Sequence, residues 1–260
     1  MLFHVSHIVA VSKVRRVLIC STDTDVLANA LYHNYTCWQN NGLKELWILY
    51  GVGKTERYIP LHCLTSDSTL TDSVLSTVPA IHCLTGCDTT SKISTKPTAI
   101  KVAEACAAEY LMDFGKQPLT EDMERHAEMY LVRTLGSDLH TMDELRFYQY
   151  HHKKIRSFQD LAPTSSTIRL HIKRSYLQCF KWMNALHTVQ ELDPLSYGYV
   201  EKDGQLIPKI LDCEPEPEDF PKPCVCQKCF ADKTCACRAR KIKCCQFCKC
   251  SAKDSCCNAY

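Results

Sequence analysis

The sequence predicts an α/β fold: a sheet flanked by helices, then a helical middle region and a small cysteine-rich C-terminal module. Three observations carry this. Short apolar runs alternate with stretches of helical periodicity from residue 16 to residue 111. Apolar side chains then recur at three- and four-residue steps from 121 to 187. Eleven of the nineteen cysteines fall between Cys224 and Cys257, in a stretch too poor in large apolar residues to build a core of its own.

Arg16 to Thr22 is a short β-branched run bounded by charge, and it reads as a buried strand. Asp23 and Asp25 stand where it ends. Val26 to Tyr32 starts a helix with Asp23 or Thr24 as its cap. Leu46 to Tyr50 is a second strand, Gly51 to Thr55 a turn, and Arg57 to Ile59 a third strand returning as a hairpin. Ser73 to Leu84 is helical in spacing and interrupted by Pro79, and Gly86-Cys-Asp88 is a break. Pro97 to Leu111 is alanine-rich, with proline in its first turn, as a helix start prefers. Glu121–Leu135, Met142–Tyr150 and Thr167–His187 read as helices, and residues 193–223 as an irregular, proline-punctuated stretch.

These readings divide the chain into an α/β domain over 1–115, a helical region over 116–192, an acidic proline-rich linker over 193–223 and a cysteine module over 224–260. The last boundary is sharp in charge. Asp212 to Asp219 is acidic, whereas nine Lys/Arg and two Asp follow from Lys222 onward. No apolar run reaches the roughly 20 residues a membrane span needs, and Met1 to Val11 lacks the basic leader of a secretory signal. An intracellular, reducing location is expected, in which clustered cysteines serve as metal ligands rather than disulfides.

Asp23 and Asp25 at a strand end, with Asp88 after a helix and a glycine, are candidate ligands for a hard cation such as Mg²⁺. Converging carboxylates repel one another unless a cation lies between them, and such an ion can activate water for phosphodiester hydrolysis. The same residues also read as a helix cap, a first-turn acid and a turn residue. Val17-Leu-Ile-Cys-Ser-Thr-Asp-Thr-Asp-Val-Leu27 resembles the strand and Asp-x-Asp segment of PIN-like flap endonucleases, and Leu84-Thr-Gly-Cys-Asp88 resembles their later Leu-x-Gly-x-Asp segment. With Ala162-Pro-Thr-Ser165, His171, Arg174 and the terminal cysteines, the order of motifs is similar to that of a group of metazoan and mobile-element-associated proteins. The resemblance implies a partial PIN-like sheet and a structure-specific, Mg²⁺-dependent nuclease using Asp23, Asp25 and Asp88. Two departures oppose activity. The 22 residues before Asp23 contain no Asp or Glu, so the first-half carboxylates of that constellation are absent. Ile93 to Thr98 also lacks the glycines that let backbone N–H groups approach a phosphate.

The cysteine spacing is Cys224-x-Cys226-x2-Cys229-x5-Cys235-x-Cys237-x6-Cys244-x3-Cys248-x-Cys250-x5-Cys256-x-Asn258, with Cys245 and Cys257 as extras. Close-set pairs let two thiolates reach one tetrahedral Zn²⁺, and metal would then supply the folding energy. A disulfide knot and a metallothionein-like metal store are the other readings. The paired Cys-x-Cys units and the closing Cys-x-Asn resemble half of a tesmin-type CXC domain, which implies three zinc ions held by nine cysteines with shared thiolates. With nine thiolates and three Zn²⁺ the module keeps a formal charge of about +4.

Arg238, Arg240, Lys241 and Lys243 cluster between Cys237 and Cys244, which suits a DNA phosphate backbone and a nuclear location, or a solvated basic face. A protein-interaction scaffold is the remaining alternative for the module. Lys173, Arg174 and Lys181 give the helix over His171 to Trp182 a cationic face, expected to be solvated rather than bound to nucleic acid.

Overall fold

The computed structural model describes residues 1–66, 70–116, 118–152, 160–211, 224–226, 235–241, 243–244, 248–250, 256 and 258. By its contacts the chain forms two compact bodies. One comprises Met1–Asp138 with Arg169–Lys209, the other Leu139–Ile168 with Ile210–Tyr260.

The first body is built on a three-stranded sheet: β1 (Arg16–Cys20), β2 (Glu45–Tyr50) and β3 (Arg57–Pro60). β1 and β2 are parallel, with Ile19 opposite Ile48. The connection between them is α2 (Thr24–His33), as parallel pairing requires a crossover. β3 returns antiparallel with Ile59 opposite Ile48. β1 alternates, burying Val17 and Ile19 and exposing Arg16, Leu18 and Cys20. The core beneath combines these with Leu31, Trp38, Leu43, Leu46 and Leu61.

Two helices here were not expected. α1 (Leu2–Ala10) buries Val5 and Val9 in that core, and Trp38 Nε1 donates to Ser6 Oγ at 2.7 Å to fix its position. α3 (Leu61–Ser66) is a short helix that buries Leu61.

The remaining helices of this body are α4 (Asp72–Thr85), α5 (Lys96–Tyr110), α6 (Glu121–Thr134) and most of α8 (Ser165–Met183). Thr71, Thr95 and Thr120 cap α4, α5 and α6 by accepting from Val74, Thr98 and Met123 N–H. α4 runs through Pro79 instead of breaking there. Its residues Val74, Leu75, Ala80, Cys83 and Leu84 are buried, and that packing outweighs the hydrogen bond proline cannot make. The C-terminal carbonyls of α4 are bound from two sides. His171 Nε2 of α8 lies 2.8 Å from Leu84 O, and Ser175 Oγ donates to Cys83 O at 3.1 Å. Lys96 Nζ donates to His82 O at 2.7 Å and to Thr85 Oγ1 at 2.9 Å. The end of α4 that leads into the turn carrying Asp88 is thereby held in place.

The stretch over 193–223 is not irregular throughout. β4 (Tyr199–Lys202) and β5 (Gln205–Pro208) form an antiparallel hairpin. Its two-residue turn is Asp203-Gly204, both at positive φ (52° and 73°), the geometry that matches the twist of the flanking strands. The acidic run Asp212 to Asp219 lies outside the described residues.

The second body contains α7 (Met142–His152), the segment from Asp160 to Ile168 and the described part of the cysteine tail, with a single helical turn α9 (Ala236–Ala239). Among the described residues no helix is long and apolar enough to cross a membrane.

Candidate metal centres

Of the nine predicted cysteine ligands, Cys224, Cys226, Cys235, Cys237, Cys244, Cys248, Cys250 and Cys256 are described, and all are buried. Cys229, Cys245 and Cys257 lie outside the described residues. The described cysteines are free thiols. They form two sets whose sulfur atoms lie within 4.8 Å of one another: Cys224, Cys244, Cys248 and Cys250, and Cys224, Cys235, Cys237 and Cys244. Cys224 and Cys244 belong to both.

Four of the sulfur separations are close to those of a metal shell, while Cys224–Cys226 is shorter at 3.2 Å. Cys224–Cys244 is 3.8 Å, Cys235–Cys244 3.6 Å, Cys237–Cys248 3.6 Å and Cys250–Cys256 3.7 Å. A tetrahedron with Zn–S bonds of about 2.3 Å has an edge of about 3.8 Å, whereas a disulfide would close to about 2.05 Å. The donor set therefore fits a metal ion, and the two sets overlap at Cys224 and Cys244.

Local structure brings these sulfurs together. Cys235 is the N-cap of α9 and Cys237 lies within it, so one turn presents both. Lys241, at φ 58°, reverses the chain toward Cys244. Cys244 N–H donates to Asn258 O at 2.7 Å, and Asn258 Nδ2 lies 3.4 Å from Cys244 Sγ, so the closing Cys-x-Asn steadies one of the two shared thiols. Lys249 N–H donates to Cys224 O at 2.8 Å beside the other.

Burial and then the neighbouring thiols push Cys224 well above the usual thiol range. Burial, followed by the Cys248 thiol, pushes Cys237 up to about 11. Without a cation these groups stay protonated. A bound metal must displace their protons, which makes its affinity depend on pH. Arg238, Arg240, Lys241 and Lys243 are all exposed, and among the described residues no carboxylate pairs with them.

In the first body Asp23, Asp25 and Asp88 converge, each offering an oxygen within 4.8 Å of the others. Asp23 Oδ1 caps α2 by accepting from Asp25 N–H at 2.7 Å, and the same side chain lies close to the other two acids. Asp25 accepts from His82 Nε2 at 2.8 Å. Burial, then the Lys96 charge, holds His82 below its ordinary value despite that carboxylate, so its ring is neutral at pH 7. Burial also lowers Lys96 to about 8. A cleft of about 500 Å³ opens on Asp25 and Asp88 and is also lined by Lys92, Ser94, Thr95 and Lys96.

His82 and Lys96 were not legible as site residues. His82 sits 57 positions from Asp25, and only its place one helical turn before Asp88's loop hints at a role. The cations of α8 are largely engaged within the body. Lys173 and Arg169 pair with Glu124 at 3.6 and 3.4 Å, and Arg174 donates to Gly198 O at 3.2 Å, leaving Lys181 exposed.

No family model matches the chain, and neither a curated protein nor a solved structure matches it.

Proposed function

We propose that this chain is a zinc protein that binds DNA. In this reading the tail is a tesmin-type CXC module, holding three Zn²⁺ through nine thiolates. Its Arg238–Lys243 loop grips the phosphate backbone in the nucleus, and the module is joined to a PIN-like domain whose nuclease constellation is incomplete. The observation that carries it is the pair of four-thiol sets sharing Cys224 and Cys244, with four exposed cations between Cys237 and Cys244. Zinc satisfies buried thiolates in this geometry, and a cationic loop fixed at both ends by metal ligands releases counterions from DNA at little ordering cost.

The test is duplex-DNA affinity of the zinc-loaded full chain against the variant carrying Arg238→Ala, Arg240→Ala, Lys241→Ala and Lys243→Ala. Affinity should fall at least about tenfold at moderate salt, and the slope of log affinity against log salt should flatten by about 3–4. Equal affinity of the two proteins at moderate salt would sink the DNA reading and leave the tail as a protein-interaction scaffold.

A second reading, a Mg²⁺-dependent structure-specific nuclease, is favoured by one observation: the convergence of Asp23, Asp25 and Asp88 beside a cleft lined by lysines. Three carboxylates can hold one hard cation. The two-ion chemistry of phosphodiester hydrolysis needs further ligands. Flap-substrate cleavage that is abolished by Asp25→Ala with Asp88→Ala would establish it, and cleavage that survives both would remove it.

A further inference from the structure

The cysteine cluster has a wall supplied by a distant stretch of the chain. Tyr150 of α7 is 1% exposed and Leu161 is 7% exposed, and both pack in one buried cluster with the eight described cysteines. Among the described residues of the tail, every buried side chain is a cysteine, and Val225 is 82% exposed. The tail therefore contributes sulfur to this cluster, and α7 with Leu161 contributes carbon.

That wall is braced by bonds that do not involve the tail. Gln149 Oε1 accepts from Ala162 N–H at 2.7 Å, and Arg146 Nη1 donates to Ala162 O at 2.7 Å, so two side chains of α7 hold both backbone groups next to Leu161. Asp143 and Ser165 exchange backbone-to-side-chain bonds at 3.2 and 3.0 Å, tying the start of α7 to the start of α8. Metal neutralises thiolates but does not keep water off them; an aromatic ring and a leucine do.

We infer that α7 and Leu161 are part of the metal centre, forming its apolar wall, so that zinc loading and the docking of α7 are one equilibrium and loss of zinc releases α7. This rests on the zinc reading above. Whatever binds only the docked form stabilises it, and docking must tighten metal binding by the same factor.

The experiment uses the full chain with Zn²⁺ and a chelator of graded strength, following hydrogen exchange of residues 142–152 and zinc affinity together. Chelation should accelerate exchange in α7 and leave α4 and α5 of the other body unchanged. Tyr150→Ala and Leu161→Ala should each weaken zinc binding by roughly tenfold or more, while Tyr150→Phe, which keeps the ring, should bind nearly as the parent does. Zinc removal with unchanged exchange in α7 would overturn the inference without any variant. So would unchanged affinity in both alanine variants. Either result leaves the zinc reading standing, whereas a parent chain that takes up no zinc overturns both.

Discussion

The two bodies of this protein bury different atoms. In the first, Trp38, Leu46 and Ile48 are wholly buried, and apolar packing holds the parallel pair of strands under its helices. In the second, the buried side chains among the described residues of the tail are thiols. Water exclusion holds the first, whereas the second joins a smaller apolar set, Met142, Leu145, Tyr150 and Leu161, to clustered thiols that can hold metal ions. The lesson is that composition marks where one kind of cohesion gives way to another, even where the segments that cohere are not contiguous.

The contrast can be broken in order of effect. Removing a shared ligand should act most strongly: Cys224→Ser or Cys244→Ser should lose at least two ions, whereas Cys248→Ser or Cys237→Ser should lose one. Native mass spectrometry of zinc content separates these, and equal losses would mean that no thiolate bridges.

Trp38→Ala should then destabilise the first body by about 3–5 kcal/mol through the cavity it leaves. Chemical denaturation should show this with the zinc count untouched, and a parallel loss of zinc would show that the two bodies are not energetically separate.

Acidification comes next. His33, His82 and His171 are each held below 6.5 chiefly by burial. The unfolded chain takes up their protons first, so their contribution is fully present above pH 6.5 and is lost as pH falls through their lowered values. Thermal unfolding of the first body between pH 7.5 and 5 should show that decline, and His171→Gln should flatten it. The smallest effect belongs to Asp203→Asn, which suits the positive-φ turn and should shift stability by no more than about 0.5 kcal/mol.

Much of this was legible in the chain. The order β1, α2, β2, β3, α4, α5 follows from alternation, caps and the position of Pro97, because those signals are local. The hairpin over 199–208 was hidden by the prolines around it, although Asp203-Gly204 is a turn signal of its own. α1 is hard to read because His4, Ser6 and His7 interrupt the apolar face of Leu2, Val5 and Val9, and α3 because six residues are too few for a period to show. The clustering of the cysteines could be read from spacing, since the paired residues are close in sequence. The His82–Asp25 bond and the Tyr150 wall could not, because each joins positions far apart along the chain, and nothing local specifies such a meeting.

The interleaving of the two bodies bears on synthesis. Tyr150 leaves the ribosome about 100 residues ahead of Cys250, a lag of roughly 5–20 s at ordinary elongation rates. During that interval the whole remainder of the first body, from Arg169 to Lys209, is made and can close. In the zinc reading proposed above, Tyr150 and Leu161 meanwhile stand uncovered, a sticky patch on a nascent chain, and the supply of metal at that moment decides how soon it is hidden.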